Sequence, residues 1–554
     1  MSPNNKKTEQ DVDEKIQQIH QEQEEERAKK LASDTGFPYK NLKTSPIDET
    51  GLFLIDEEKA KKAGAAIVQK KQKELYVGFL DPSTEEAKKL MKELEDKGYS
   101  VEAFIVSRGS IDKAWSRYKN KIEEKKPISK KVEIDGMDKG VDNIEDLREK
   151  FSDDLNTTEL LNLIMAGALK LEASDVHFEA ESEKNARIRI RIDGILRDLK
   201  DIPFKKYDSL ISRIKILSEL KLNITKAPQD GRFSFSIKRD GSEKEIEVRT
   251  SIIPGPNGEN IVLRILDPKT IELQLEDLGI QDYDFKVIQE ELKKTTGMIV
   301  TTGPTGSGKT TLLYSFLKKK NSPEVKIITL ENPIEYHLEG VEQTQVNPDK
   351  GYTFAAGLRS IVRQDPDIIL VGEIRDNETA KTAINAALTG HLVFSTLHTN
   401  DAAGAIPRLM DMKVSPKMIP ASLNLVIAQR LVRKVCPKCS KEVEIEKEGL
   451  EKLKKGLKDL SSRAKKPKLE GIKIKKASEK GCPYCNFTGY KGRIGVFELF
   501  VIDDEMEKLI IKTPSIAEIK ETAIKAGMVT MKQDGFLKVT QKITTIEEIE
   551  RVLG

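Results

Sequence analysis

Between residues 296 and 320 the chain reads TGMIVTTGPTGSGKTTLLYSFLKKK, and this stretch restricts the fold more than any other. MIV suits a buried strand, GPTGSGKT fits G-x-x-x-x-G-K-[ST] from Gly303 to Thr310, and TLLYSFL continues as an amphipathic helix. Gly303, Pro304, Thr305, Gly306, Ser307 and Gly308 form a loop whose glycines let the backbone fold around phosphate oxygens. Its amide hydrogens then point inward at a helix N-terminus. Lys309 supplies charge to the β- and γ-phosphates, the Thr310 hydroxyl can ligate Mg²⁺, and Thr311 completes the set. An ordinary Gly-rich turn is the alternative. The strand before the loop and the helix after it favour a site for ATP.

About 60 residues on, DPDIILVGEIRD (365–376) reads as a buried parallel strand ending in Gly372 and Glu373. A carboxylate at the C-terminal end of such a strand reaches the crevice where α/β sheets bind ligands. Glu373 could hold Mg²⁺ through water or polarise an attacking water, the bland alternative being a surface carboxylate. IITLENPIEY (327–336) is a further strand that delivers Glu331 and Glu335 to the same edge. Carboxylates beside a triphosphate repel it unless a metal or a water nucleophile intervenes, so the pair favours hydrolysis over passive binding; helix-capping acids are the alternative. TGHLVFSTLHTND (389–401) places His391 and His398 seven residues apart around a strand-like run. Side chains at that spacing on a strand face opposite ways, which argues against one shared metal ion.

The rest of the chain surrounds this engine. At about 150 residues per domain, 554 residues make three or four domains. Residues 1–35 are polar and Glu/Gln-rich, a solvated helix or a disordered leader. Residues 36–122 alternate strand-like and helix-like pieces, a small α/β domain without a catalytic motif, and 123–150 read as a linker. Residues 151–270 begin with a helix and continue into an antiparallel sheet, where the alternation of ARIRIRIDGILRDL (186–199) puts Arg187, Arg189 and Arg191 on one face of a single strand. Residues 271–554 hold the nucleotide loop and, over 503–554, a helical end. The net charge of +3 does not call for a nucleic-acid polymer as obligate partner. No apolar run approaches 18 residues, and the first 30 lack the apolar core of a secretory signal, so the cytoplasm is the expected compartment.

All four cysteines fall in two C-x₂-C pairs, Cys436 with Cys439 and Cys482 with Cys485. Two such knuckles supply a tetrahedral S₄ set, which selects Zn²⁺, and the module is expected over 430–495. A redox dithiol is the alternative. The 42 intervening residues, 440–481, are rich in Lys and Glu and are expected to project into solvent.

From the nucleotide loop through TLENPIEY, TFAAGLRSIVRQDPDIILVGEIRD, TGHLVFSTLHTNDAAGAIPRL and AQRLVRKVC, the chain resembles the secretion-superfamily ATPases, the motors of type II secretion and type IV pilus assembly. ASDVHFE, PQDGRF and PNGENIVLRIL look like that family's N2 domain, and residues 36–122 resemble its N-terminal adaptor more loosely. The resemblance implies an α/β, RecA-like P-loop core. It is preceded by an α+β, PAS-like N2 domain and carries a zinc-binding tetracysteine module. It also implies a Mg²⁺-dependent, homo-hexameric ATPase at the inner face of the cytoplasmic membrane, docked on an inner-membrane platform protein and touching membrane only through partners. The zinc module is typical of assembly or secretion motors and not of retraction motors. The family's Asp box usually reads Glu-Asp-Pro; here Asn332 stands second, so water positioning falls to Glu331 or Glu335. His391 and His398 are expected as sensors of the nucleotide state, with packing as the alternative. Arg232, Arg249 and Arg264 match N2 arginines that reach phosphate, with sheet salt bridges as the alternative. The repeated signature of the cyclic-dinucleotide-binding variant is not seen, so that ligand is not expected. The rival class is a P-loop nucleic-acid translocase with a zinc ribbon, disfavoured by the near-neutral charge and the lack of interleaved aromatics.

Overall fold

The computed structural model describes residues 23–42, 48–52, 54–71, 73–120, 136, 139–152, 154–239 and 242–554, which divide into two units, 1–129 and 130–554. The first 22 residues of the expected leader, and most of the linker expected over 123–150, lie outside the described residues. In the first unit, β1 (Ala65–Lys71) pairs antiparallel with β2 (Glu74–Phe79), which pairs parallel with β3 (Ser100–Ile105). Leu75, Val77 and Phe79 bury at a period of two, as a half-covered strand requires. The helix Glu85–Asp96 is capped by the Thr84 hydroxyl and buries Ala87, Leu90 and Leu94 along one stripe. Trp115 donates its indole N–H to the Ala65 carbonyl at 3.0 Å. Residues 23–35 form a helix that buries Ala28 and Ala32 beside Ile105. Its Glu24 and Glu25 accept from the Gly109 amide and the Ser107 hydroxyl, at the start of helix Arg108–Ser116. This last third or so of the polar leader is therefore part of the small domain.

The second unit begins with a six-stranded antiparallel sheet in the order β6-β5-β4-β9-β8-β7. Its strands are β4 (Ala173–Ala180), β5 (Asn185–Ile192), β6 (Ile195–Pro203), β7 (Gln229–Arg239), β8 (Ser242–Gly255) and β9 (Gly258–Leu266). Helices Thr157–Lys170 and Phe204–Leu217 share one core with the sheet's apolar residues, among them Ile188, Ile190 and Ile192. The stretch 186–199, expected as a single strand, is a hairpin. Asp193 and Gly194 take φ of +50° and +83°, the left-handed pair of a two-residue turn that Asp-Gly favours.

A seven-stranded sheet follows, in the order β12-β11-β13-β14-β10-β15-β18. β10 (Gly297–Thr302), β11 (Ile327–Glu331), β12 (Glu342–Gln345), β13 (Ile368–Val371), β14 (Leu392–Leu397) and β15 (Leu423–Val435) run parallel. Side chains of β10 alternate between two cores, Met298 and Val300 in one, Ile299 in the other, and β11, β14 and β15 divide the same way. Burial on both faces explains why these strands read as unbroken apolar runs.

β16 (Lys441–Glu444) and β17 (Lys473–Lys476) form a hairpin between the cysteine pairs, and β18 (Tyr490–Val501) closes the sheet antiparallel to β15. The segment 440–481 does not hang free. Leu453, Leu457 and Ala464 pack into a core with Phe536, Leu537 and Ile549 of the last two helices, Met531–Thr540 and Ile546–Leu553. Most of its lysines are exposed, but three apolar residues set among them bind it down, and burial of such side chains contributes about 1.5–3 kcal/mol each for the larger ones. No helix among the described residues is long and apolar enough to cross a membrane.

Candidate functional site

β10 ends at Thr302, and the loop turns at Gly303, Gly306 and Gly308 with φ of +148°, +77° and +91° before helix Lys309–Lys320 begins. At Gly303 a Cβ would lie 2.6 Å from both the Gln429 carbonyl oxygen and the Ser307 Oγ, so no side chain fits. Lys309 Nζ donates to the carbonyls of Gly303 and Pro304 at 2.8 and 3.0 Å. Burial pushes its pKa down to about 8, the neighbouring Arg430 adds to that, and Glu373 opposes it. The buried Ser307 Oγ has no hydrogen-bond partner among the described residues. Pro304, Thr305, Gly306 and Thr310 are exposed, and Thr311 is half-buried. An orphaned hydroxyl, a bare glycine cradle and a lysine held by main-chain oxygens fit a polyphosphate with its cation, for which Thr310 offers a ligand.

The ends of β11, β13 and β14 open on the same edge of the sheet, because all run parallel to β10. Glu373, just past β13, receives the Arg375 Nε at 2.6 Å and lies 3.4 Å from His398 Nε2, just past β14. The three form a half-exposed cluster at the mouth of the loop, able to orient water or an aquated cation. Glu331 is different. It is buried and accepts from Thr329 Oγ1, Tyr314 Oη and Gln343 Nε2 at 2.6, 2.6 and 3.2 Å. Burial raises its pKa. Tyr314 belongs to the helix after the loop, so Glu331 ties β11 to that helix. Glu335 faces the other domain, pairing with Arg249 at 2.9 Å.

The two histidines separate. Gly297 opposes Leu392 at the start of both strands, and the Gly297 amide donates to the His391 carbonyl. His391 therefore sits at the edge of the sheet opposite the loop, about 20 Å from His398 along β14. Its Nδ1 lies 2.9 Å from the Ala386 carbonyl, a packing contact at a helix end. The expectation that both sense nucleotide is corrected for His391. Strand periodicity spoke only to which face a side chain takes, and this difference lies along the strand.

The register of the six-stranded sheet assembles the arginines. Arg191 opposes Asp175, Asp175 opposes Arg264, Arg264 opposes Arg249, and Arg249 opposes Arg232, one row across five strands. Directly opposed residues share a face. Arg264 pairs with Asp175 at 3.0 Å, which is the salt-bridge alternative. Arg249 reaches out of the sheet, its Nη2 donating to the Ile334 carbonyl at 2.6 Å. Arg232 is exposed and forms no ion pair among the described residues. Two residues at the loop went unread in the sequence. Gln429 lines it with a buried Oε1 that has no partner among the described residues, and Arg430 donates to the Asn400 carbonyl at 2.7 Å. Their only signal was polarity in the middle of β15, between the apolar runs 425–428 and 431–432.

The four cysteines converge. Sγ–Sγ distances of 3.8 Å join Cys436 to Cys482, Cys439 to Cys485 and Cys482 to Cys485, all four sulfurs lie within 4.8 Å, and none is in a disulfide. A tetrahedron with metal–sulfur distances of about 2.3 Å has edges of about 3.8 Å, so the set fits zinc. The amides of Cys482 and Gly489 donate to the Cys485 sulfur at 3.2 and 3.3 Å, support that a thiolate needs.

A family model described as type II/IV secretion system protein matches residues 150–551. The type IV pilus assembly ATPase PilB of Myxococcus xanthus is 37% identical over 526 residues, 94% of this chain and 89% of its own. The type II secretion system ATPase E of Vibrio cholerae is 44% identical over 409 residues, 74% of this chain and 77% of its own. Among solved structures, the Legionella pneumophila ATPase DotB shares the fold, with a TM-score of 0.51 at 21% identity over 73% of this chain and 97% of that one. With a RecA-like core, a P-loop whose orphaned groups suit phosphate, and relatives of this kind along most of its length, the chain belongs to the type II/IV secretion system protein family and is an ATPase.

Proposed function

We propose that this ATPase powers assembly of a type IV pilus. It works as a homo-hexamer docked on a platform protein at the inner face of the cytoplasmic membrane. The observation that carries the pilus over the secretion pseudopilus is where the similarity stops. The pilus relatives of Myxococcus and Thermus align over 94% of the chain, whereas the type II secretion relatives of Vibrio and Pseudomonas align over 74%. At 94% coverage the alignment must reach into the first unit, where a chain of this kind would meet its machine. The nucleic-acid translocase reading draws no support from these relatives.

In the proposed reaction, water attacks the γ-phosphorus of ATP and the bond to the bridging oxygen breaks, giving ADP and phosphate. Lys309 and the loop amides hold the phosphates, with the Ser307 hydroxyl as a further donor. Glu373 accepts a hydrogen bond from the attacking water, and the contacts from Arg375 and His398 fix its orientation. Thr310 and, through water, Glu373 would hold a magnesium ion, which would supply charge neutralisation when bound. Glu331 has its oxygens occupied by three donors, so its role is to brace the loop helix. Glu335 is held by Arg249, which makes that pair a reporter of how the six-stranded domain stands against the nucleotide edge. Arg232, without an ion pair among the described residues, is the arginine best able to meet a phosphate on closure.

Deleting the gene in its host, and complementing with the parent or with Lys309→Ala, tests the reading. The expected result is loss of surface filaments, restored by the parent and not by Lys309→Ala. Cells that keep their filaments but lose a secreted protein would overturn the pilus assignment in favour of secretion.

A further inference from the structure

The zinc knuckle touches the six-stranded domain of its own chain at three points. Asp193 Oδ2, on the β5–β6 turn, accepts from the Gly492 amide at 3.0 Å. Lys491 Nζ pairs with Glu172, just before β4, at 3.0 Å. Asn486 Oδ1 accepts from the Ile144 amide at 2.9 Å. Ile144 opens the helix Ile144–Glu149, whose N-cap Asn143 already accepts from the amides of Glu145 and Asp146. The first amides of a helix have no partner inside it. Asn486 serves the one that Asn143 does not reach, and it is only 2% exposed.

The knuckle holds Asn486 in place by its own hydrogen bonds. Its amide donates to the Pro483 carbonyl, and the Phe487 amide to that of Cys482, which leaves Asn486 left-handed at φ +50°. A Cβ at Gly481 would lie 2.3 Å from the Phe487 backbone, so the turn closes only with glycine there. The acceptor that caps the helix is therefore set by the same turn that brings Cys482 and Cys485 together.

We propose that the zinc knuckle is a latch holding the six-stranded domain on the nucleotide-binding core of the same chain, with Asn486 as its positioning residue for ATP hydrolysis. The proposal rests on the zinc and ATPase readings above. The latched sheet carries Arg249, which bonds Ile334 and Glu335 beside the nucleotide edge. Two fasteners thus set one domain's stance. Loosening the distant one lets the near one drift, while the loop that binds ATP is untouched.

The full-length, zinc-loaded protein is compared with Asn486→Gly, which accepts the left-handed backbone but lacks the acceptor, and with Asn486→Asp, which keeps both. Zinc content, hydrogen exchange by mass spectrometry and steady-state ATP hydrolysis are measured. The glycine variant should keep its zinc and its KM for ATP. The amides of 144–149 should exchange about tenfold faster, and kcat should fall about fivefold or more. Asn486→Asp should restore both. Unchanged exchange at 144–149 in Asn486→Gly overturns the proposal, as does unchanged kcat despite faster exchange. Loss of zinc from that variant overturns it too, because Asn486 would then serve the metal site and not the contact between domains. A parent protein that hydrolyses no ATP would count against the ATPase reading, while the exchange comparison would still decide the latch.

Discussion

Raising the pH from 7 to 9 should weaken nucleotide binding about tenfold through Lys309 alone. Burial, and then Arg430 beside it, push its pKa down to about 8. Phosphate brought against it favours the charged form, so binding takes up a proton when Lys309 is neutral beforehand. If the bound form stays charged throughout, the apparent Kd scales as 1 + 10^(pH − 8). That is about 1.1 at pH 7 and about 11 at pH 9, a loss of about 1.4 kcal/mol. Titration calorimetry with a non-hydrolysable ATP analogue and saturating Mg²⁺, repeated in buffers of different ionisation enthalpy, measures both quantities. About half a proton should be taken up per site at pH 8. In Arg430→Gln the inflection should move to higher pH without vanishing, since burial is the larger cause and remains. A Kd flat across this range, with no buffer-dependent heat, would refute the reasoning.

Glu373→Gln should bind ATP with near-parent affinity and lose at least about a hundredfold in kcat, read from binding and single-turnover assays. Cys439→Ser should release the zinc, about one per chain in the parent by metal analysis, and raise protease sensitivity over 430–495 before it touches ATP affinity. Arg249→Ala should lower kcat while leaving the Kd for ATP within about twofold, because its partners Ile334 and Glu335 lie outside the phosphate loop; an equal loss in both would place it in ground-state binding. His398→Ala should slow turnover by freeing Glu373, and His391→Ala should leave kcat within about twofold, a contrast that kinetics on the two variants checks directly.

What could be read from the chain was what depends on local spacing. The loop at 303–310, the buried strand before Glu373 and the paired cysteines each put their chemistry within a few consecutive residues, and each stands where its pattern implied. What could not be read depends on register and on which strand lies beside which. Arg232, Arg249 and Arg264 fall in one row only because β7, β8 and β9 pair with those offsets. Glu331 and Glu373 both end core strands, yet Tyr314 and Gln343 enclose one and leave the other open, a difference of tertiary contact alone. The segment 440–481 was misjudged because charge dominates its composition, whereas Leu453, Leu457 and Ala464 decide where it packs. Asp193-Gly194 was a hairpin signal in plain sight, overridden by the regular alternation on either side of it.

The split between the cysteine pairs has a consequence for biosynthesis. Cys436 and Cys482 are 46 positions apart, so at translation rates of about 5–20 residues per second the first two thiols wait about 2–9 seconds for the second two. During that interval the parallel core strands are already made, but β18, which must cover the outer edge of β15, is not. Two thiols and an uncovered strand edge are then exposed together on the nascent chain. Metal capture therefore marks the moment at which the sheet acquires its border. Cells short of zinc, or oxidised enough to couple the first pair, should accumulate chains whose β15 edge is open to pairing with one another, and the yield of soluble protein should follow zinc supply more steeply than the stability of the finished fold does.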